Sequence, residues 1–234
     1  MKEYYIVSDL HSRLDLLTKA LDSSGFLLEN DNHILLIAGD ILDRGLEGDI
    51  LIRFLEKLID KGRLLMCLGN HDTFLLDIIN DISTVKKVVW NIHRNGFATT
   101  LQLVCDDEIT EELVTQEFLT EVSNRFNEKY PIFIEWLKKQ PYYLEYNNHI
   151  VVHGFLDFSL DDWHNTSIHD LIWKRGYNLR VPKNFTKNII FGHTPNIHFG
   201  STDDIITCGK KIMIDGGAAN GNQVNVYKLT EEEI

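Results

Sequence analysis

The sequence predicts a mixed α/β fold, in which a parallel sheet formed by the first third of the chain packs against a second sheet. Two patterns predict it. Apolar runs suited to buried strands alternate with amphipathic helical stretches up to residue 79, and short β-rich runs return after Pro141. The composition agrees with a globular protein, because 44% of the 234 residues are hydrophobic and 25% are charged.

The first third contains three predicted strand–helix units. The strands are the apolar runs Tyr4–Val7, His33–Ala38 and Leu64–Leu68. Apolar residues then recur with helical spacing in the stretches Leu14–Leu21, Ile50–Ile59 and Phe74–Ile79. Gly25 is placed to end the first helix. This order is typical of parallel strands joined by right-handed crossovers, in which functional groups gather at the carboxyl ends of the strands.

Residues 85–140 have a mostly helical pattern, with predicted helices at Thr110–Phe126 and Glu128–Lys139. We interpret this segment as a helical insertion in one domain that spans residues 1–234, because the four prolines of the chain form no proline-rich linker. Short strands are predicted after the insertion, at Tyr142–Tyr146, Ile150–Val152, Ile189–Phe191, Lys211–Ile214 and Val224–Leu229.

Charge and cysteine content narrow the function. The chain has 23 basic and 35 acidic residues, and its net charge of −12 disfavours binding to nucleic acid or to an anionic membrane. Three cysteines without a C-x-x-C spacing indicate reduced thiols rather than disulfides or a zinc site. The first apolar run is too short for a signal peptide and no 18-residue apolar run occurs, so we expect a cytoplasmic protein.

Side chains of the kind that bind metals follow each of the first three strands. Asp9 and His11 follow the first strand, Asp40 the second and Asn70 the third. The separations of 31 and 30 residues between Asp9, Asp40 and Asn70 each correspond to one strand–helix unit. We therefore expect these four side chains to meet at one edge of the sheet.

Two further histidines follow apolar runs in the second half, His153 after residues 150–152 and His193 after residues 189–192. The six residues together offer three imidazoles, two carboxylates and one amide oxygen. Such a set suits two divalent cations, with manganese favoured and iron, zinc or cobalt as alternatives. An anion must lie between two such ions, and Asp40 is the expected bridge. A water held by both ions would be the nucleophile.

Five motifs occur in order along the chain: D-x-H at Asp9–His11, G-D-x-x-D-R-G at Gly39–Gly45, G-N-H-D at Gly69–Asp72, H-G at His153–Gly154 and G-H-T-P at Gly192–Pro195. In these motifs the sequence resembles the calcineurin-like metallophosphoesterases, and within them the phosphoprotein-phosphatase branch with its small bacterial and phage members. The resemblance covers nearly the whole chain. It implies a four-layer α/β/β/α sandwich of two mixed sheets and a dinuclear metal centre.

The resemblance also implies a role for each site residue. The implied metal ligands are Asp9 and His11 for the first ion, Asn70, His153 and His193 for the second, and Asp40 as the bridge. His71 would be the general acid that protonates the leaving alkoxide, and Asp43 would orient it. Arg44 and Arg175 would bind the phosphoryl oxygens.

Elementary chemistry favours the same catalytic roles, because hydrolysis of a phosphate monoester needs charge neutralisation and a proton for the leaving group. A guanidinium can bind two phosphate oxygens at once. Simpler interpretations stay open at this point. Asp43 would then be a helix cap, Arg44 a surface ion pair and Arg175 a solvated helix end.

Four residues depart from the pattern of the family. Ser12 stands where glycine is usual, Asp72 where the protein-phosphatase group typically has glutamate, and Phe97 where a second glycine is common. Pro195 stands where phosphodiesterase-like relatives usually supply a further histidine ligand. The last departure favours the phosphoprotein-phosphatase branch over a phosphodiesterase or nuclease.

These observations predict a metal-dependent hydrolase of phosphate monoesters, with phosphoserine and phosphothreonine as the expected targets. The alternative is a dinucleoside polyphosphate hydrolase acting on diadenosine tetraphosphate, since the motifs do not separate the two activities. A non-catalytic interaction scaffold is least favoured, because no ligand of the set is missing. The expected partner is a phosphorylated protein or a small phosphoester.

Overall fold

The computed structural model describes residues 1–200 and 202–234, which form two sheets. The first has the strand order β3-β2-β1-β9, with β1 at Glu3–Val7, β2 at His33–Ala38, β3 at Leu64–Cys67 and β9 at Tyr227–Thr230. The second has the order β4-β5-β6-β8-β7, with β4 at Tyr143–Glu145, β5 at His149–Val152, β6 at Asn188–Phe191, β7 at Ile206–Cys208 and β8 at Lys211–Met213. Both sheets are mixed, because β9 runs antiparallel to β1, and β4 and β7 run antiparallel to their neighbours.

The α-helices of this part of the chain are α1 (Leu14–Ser24), α2 (Gly48–Asp60), α3 (Asn70–Ile79), α4 (Val85–Asn95), α5 (Ala98–Leu101), α6 (Gln116–Lys129), α7 (Pro131–Leu137) and α8 (Ile168–Trp173). The first helix ends as predicted, because Gly25 adopts φ +82°, a left-handed conformation that favours glycine. No helix within residues 1–200 and 202–234 is long and apolar enough to cross a bilayer.

Alternate residues along the inner strands pack into different hydrophobic clusters. On β1, Tyr5 packs with the helices on one face of the first sheet, whereas Ile6 belongs to the same cluster as Val151 of β5, between the two sheets. On β5, Ile150 packs with Leu171 of α8 on the outer face of the second sheet. This period of two is typical of strands that are buried on both faces. It produces the four layers of the predicted α/β/β/α sandwich, and the fold class is confirmed.

The structure corrects the boundaries predicted in the middle of the chain. The helix predicted at Thr110–Phe126 begins six residues later, at Gln116, where the hydroxyl of Thr115 accepts a hydrogen bond from the first turn. It extends to residue 129 and ends at Tyr130, which has φ −131°. Tyr130 leaves the helix because the residue before a proline, here Pro131, is sterically disfavoured in helical geometry.

Two further predicted segments need adjustment. The helix predicted at Glu128–Lys139 is the shorter α7, and the strand predicted at Val224–Leu229 is the shorter β9, which pairs with β1 in the first sheet. The stretch predicted to be mostly helical also contains α4 and α5, for which the prediction gives no separate bounds. That residues 1–234 form one domain with an insertion at about 85–140 stays a prediction.

Candidate metal centre and active site

The ends of strands from both sheets meet at one place. The side chains that follow β1, β2 and β3 come from the first sheet, and His153 and His193 follow β5 and β6 of the second. The two groups touch directly, since His153 Nδ1 lies 2.9 Å from the carbonyl oxygen of Ala38, and the amide of His193 donates to Asp9 Oδ2 at 3.0 Å. The structure therefore brings the six side chains together, as predicted, and their role as metal ligands stays a prediction.

The turns after these strands have an unusual backbone. Eight non-glycine residues of the described chain have positive φ, and seven of them lie in or directly after the site motifs: Asp9, His11, Ser12, Asp40, Asp43, Arg44 and His193. Such conformations cost of order 1 kcal/mol each and persist only where surrounding contacts impose them. Ser12, at φ +55°, shows why glycine suits this position.

Asp40 lies at the centre of the site. Its Oδ2 is 3.3 Å from His153 Nε2, 3.7 Å from His11 Nε2 and 3.9 Å from His71 Nε2. Two groups of potential ligand atoms, each within 4.8 Å of one another, share it: one with His11 and His71, the other with His153 and His193. A carboxylate that belongs to both groups is in the position expected of a ligand shared by two metal ions.

Asn70 lies beside the second group, and Asp9 is tied to it through the backbone amide of His193. Asn70 Oδ1 lies 3.0 Å from His153 Nε2, and His193 Nδ1 lies 3.2 Å from the same nitrogen. His193 Nε2 is buried and has no hydrogen-bond partner among residues 1–200 and 202–234. Because buried polar atoms are nearly always paired, an unpaired imidazole nitrogen in a cluster of oxygen and nitrogen donors fits a metal ligand.

The pKa values of the cluster follow from burial and charge. Although burial opposes it, the charges of His153 and His71 hold the pKa of Asp40 well below its usual range. Burial also opposes a charged His153, yet the carboxylates of Asp40 and Asp9 raise its pKa to about 10. Burial and the charge of His153 lower the pKa of His193 to about 3. A metal that binds here would take the place of the proton on His153, since metal ligands must be deprotonated.

Glycines allow the carboxylates to approach the strands. Gly69 has φ −99°, which any residue adopts, so its backbone does not require glycine. A Cβ there would clash with Asp40 Oδ1 and lie 2.7 Å from the amide nitrogen of Asp40. Gly69 therefore keeps open the space that Asp40 occupies.

Substituting Gly69 with alanine is expected to displace Asp40 and to lower both metal content and turnover, by about 10²-fold if the carboxylate moves by 1 Å. Elemental analysis and p-nitrophenyl phosphate hydrolysis measure the two effects. The control is Gly62→Ala, where a Cβ meets nothing within 4 Å and φ is +63°. It should cost about 1–2 kcal/mol of stability without loss of activity. Wild-type metal content in Gly69→Ala would contradict the prediction.

His71 is held in place through a chain of buried polar groups. Its Nδ1 lies 2.6 Å from Asp43 Oδ2, and Asp43 Oδ1 accepts a hydrogen bond from the Thr100 hydroxyl. The amide of Asp43 in turn donates to Thr100 Oγ1 at 3.1 Å. Although burial opposes it, the carboxylates of Asp40 and Asp43 raise the pKa of His71. Asp43 thus orients His71 with its other nitrogen, Nε2, directed to the cavity side, 3.1 Å from Arg44 Nη2.

Thr100 was missed by sequence reasoning. It lies on α5, 57 residues from Asp43, and is 1% exposed. No motif, spacing or local pattern links it to the site, because it is one of two adjacent threonines in the short helix α5.

Both predicted arginines line the same cavity as five of the six candidate ligands, all except His153. Arg44 contacts His11 Nε2 at 3.3 Å through Nη1, and its Nε lies 3.4 Å from the carbonyl oxygen of Asn95. Arg175 Nη1 donates to Thr194 Oγ1 at 2.6 Å and lies 3.4 Å from the carbonyl oxygen of His193. Both guanidinium groups are therefore placed beside the ligand cluster by the loops that carry it.

Asp72 supports the site without lining it. Its carboxylate accepts hydrogen bonds from the amides of Gly69 at 2.8 Å, Asp40 at 2.8 Å and Ile41 at 3.0 Å. Burial, and then the charge of Asp40, raise the pKa of Asp72 to about 7. The shorter aspartate thus still ties the second motif to the third where glutamate is typical.

Asp215 is a second residue to which sequence reasoning gave no role. It is 3% exposed, lines the cavity and accepts a hydrogen bond from the amide of Gly217 at 2.9 Å. Burial, followed by the nearby charge of Asp9, raises its pKa well above the usual value. The sequence signal was present, because Asp215 directly follows the apolar run of β8 as the other site residues follow theirs.

A family model described as calcineurin-like phosphoesterase matches residues 3–212. The chain therefore belongs to the calcineurin-like phosphoesterases, a metal-dependent family, and the predicted class of enzyme, a hydrolase acting on phosphoester bonds, is confirmed.

Two curated proteins are similar to this chain in sequence, over different shares of its length. The symmetrical bis(5'-nucleosyl)-tetraphosphatase of Wigglesworthia glossinidia brevipalpis is 29% identical over 138 residues, which cover 59% of this chain and 38% of that protein. The asymmetrical bis(5'-nucleosyl)-tetraphosphatase PrpE of Bacillus subtilis is 23% identical, over 98% of this chain and 92% of that protein. The chain thus spans well under half of the first relative but most of the second.

Solved structures share the fold. A putative diadenosine tetraphosphatase superposes with a TM-score of 0.60 at 15% identity, covering 97% of this chain and 89% of that one. The cold-active protein-tyrosine phosphatase of a psychrophilic Shewanella species gives 0.59 at 15% identity, covering 99% and 76%. At these identities the likeness shows the architecture alone.

Proposed function

We propose that the protein hydrolyses phosphate monoesters at this site, with phosphoserine and phosphothreonine as candidate targets. The observation that supports this most directly is the buried Thr100–Asp43–His71 chain of hydrogen bonds beside the ligand cluster. An alkoxide is a poor leaving group and needs a proton in the transition state, which a fixed imidazole can supply. The ten site residues predicted from the sequence, nine in the five motifs and Arg175 outside them, are proposed to form the catalytic machinery.

The ligands proposed for two divalent ions are Asp9, His11, Asp40, Asn70, His153 and His193. Manganese is the first metal to test. Iron, zinc and cobalt follow, because the mixed carboxylate and imidazole set suits them too. Bound divalent ions would supply Lewis-acid stabilisation of the phosphoryl oxygens and an activated water.

The other proposed site residues bind the substrate, transfer a proton or hold the turns in place. Arg44 and Arg175 bind the phosphoryl oxygens and orient the ester, since a guanidinium offers paired donors to phosphate. His71 donates the proton from Nε2 to the departing oxygen, while Asp43 holds Nδ1 and stabilises the protonated ring. Asp72 keeps the turn that carries Asp40 in register with α3.

Hydrolysis of dinucleoside polyphosphates is the second candidate. It is favoured by the Bacillus relative, which is named for this activity and matches the chain over nearly the full length of both proteins. Cleavage of a phosphoanhydride needs the same ligands and arginines but less proton transfer, because a phosphate is a better leaving group than an alkoxide.

The deciding experiment compares kcat/KM for phosphoserine and phosphothreonine peptides with that for diadenosine tetraphosphate, with chromatography of the products and several metals added in turn. We expect the peptides to be the better substrates. The reverse order would transfer the assignment to the second candidate, and the products would then show whether cleavage is symmetrical or asymmetrical. Inertness on every phosphoester with each metal would overturn both. The Asp40→Asn protein, purified identically, controls for contaminating phosphatases.

A further inference from the structure

Lys211 is a buried lysine whose ammonium group meets the loop that follows Arg175. It lies on β8 and is 8% exposed. Its Nζ donates to the carbonyl oxygens of Tyr177, of Leu179 at 3.1 Å and of Gly176 at 3.4 Å. An ammonium group has three donors and no acceptor, so these three carbonyls use its full capacity.

The same loop is fixed from two other sides. A Cβ on Gly176 would lie 2.7 Å from Cε2 of the buried Phe155 ring, so the loop backbone rests directly on that ring. The ring of Tyr177 stacks on Phe199, with centroids 4.0 Å apart and planes inclined by 18°. Phe199 follows the G-H-T-P motif, so this stack joins the loop to the segment that carries His193.

Arg175 stands one residue before the first carbonyl that Lys211 holds. Its guanidinium reaches the cavity through contacts with Thr194 and the carbonyl of His193. A long, flexible side chain can be aimed reproducibly only if the backbone on which it stands is fixed. Without the three hydrogen bonds from Lys211, the backbone of residues 176–179 would no longer be held to β8.

We propose that Lys211 is a positioning residue for Arg175: it touches no substrate, and it fixes the loop that presents the phosphate-binding guanidinium. This inference rests on the proposed function, because it assumes that Arg175 binds the phosphoryl group. It explains why a lysine is buried within a strand of the second sheet and contacts carbonyl oxygens of a loop.

The test replaces Lys211 with methionine, which keeps most of the aliphatic volume and removes the three donors. We expect kcat/KM for p-nitrophenyl phosphate to fall by about 10–10²-fold, as for a misplacement of up to 1 Å, mainly through KM. The affinity for inorganic phosphate, measured by calorimetry on manganese-loaded protein, should fall in parallel. Lys210→Met is the control, because Lys210 is the neighbouring lysine and donates to the carbonyl of Thr186 in another loop, at 2.8 Å. It should behave as wild type.

Combination with Arg175→Ala distinguishes positioning from general destabilisation. If Lys211 acts through Arg175, adding Lys211→Met to Arg175→Ala should lower phosphate affinity and kcat/KM by less than about twofold further. An equal loss in both backgrounds, or wild-type KM in Lys211→Met, would overturn the inference while leaving the role of Arg175 intact. Wild-type phosphate affinity in Arg175→Ala would overturn both. Should the methionine variant not fold, Lys211→Gln takes its place: its shorter side chain has only two donors, so it should show a smaller loss in the same direction, and wild-type KM in it would overturn the inference.

Discussion

Replacing Asp40 with asparagine is expected to abolish hydrolysis of p-nitrophenyl phosphate and to lower the manganese content of the purified protein. The substitution preserves size but removes the charge of the one carboxylate that belongs to both ligand groups. The loss of metal affinity should exceed the roughly 10–10² that removal of an outer-sphere partner costs. Steady-state kinetics and elemental analysis of the same preparation measure the two effects.

A matched control for this change is Asp81→Asn. Asp81 is exposed and also has positive φ, +55°, which asparagine tolerates well. It should retain wild-type metal content and activity. Full activity in the Asp40 variant would end the proposal that this carboxylate lies at the catalytic centre.

Replacing His71 with asparagine is expected to lower the rate by about 10²–10⁴, the usual contribution of general acid catalysis. The protein should keep its metal, because the proposed role of His71 is proton transfer from Nε2, oriented at Nδ1 by Asp43. The loss should be smaller for p-nitrophenyl phosphate than for an alkyl phosphate, since p-nitrophenolate needs little protonation. Kinetics on a series of leaving groups measure the difference.

The metal content of the His71 variant distinguishes a general acid from a metal ligand. His71 Nε2 is 3.9 Å from Asp40 Oδ2, nearly as close as His11 at 3.7 Å, so proximity alone does not distinguish an acid from a ligand. Loss of manganese together with an equal rate loss on all leaving groups would identify His71 as a ligand. His169→Asn, at a histidine on the surface, is the control and should change neither quantity.

The strand positions, and the candidate ligands that follow them, could be predicted from the sequence for one physical reason. The inner strands are buried on both faces, so they appear as apolar runs, and the polar residue after each run stands out. The ends of β1, β2 and β3 were therefore predicted to within one residue, and the residues Asp9, Asp40 and Asn70 followed from them.

Other features depend on contacts between residues far apart in sequence. The pairing of Thr100 with Asp43 and of Lys211 with the loop after Arg175 needs the folded chain, because neither residue has a periodic or local signal. The placement of β9 beside β1 is equally non-local, with Ile6 opposite Tyr227. Helix α4 differs from these features, because its apolar residues recur at helical spacing and pack on the core, at Val85, Val88, Val89 and Ile92.

The proposed ligand set takes members from the first 70 residues and from residues 153–193, so it crosses the boundary between the two sheets. A bound cation would therefore link the N-terminal and C-terminal halves of the chain. At a free cation concentration of a thousand times the dissociation constant, binding adds about 4 kcal/mol to the free energy of unfolding. Because neither half alone provides the full coordination sphere, that energy would resist separation of the halves and favour a single cooperative melting transition.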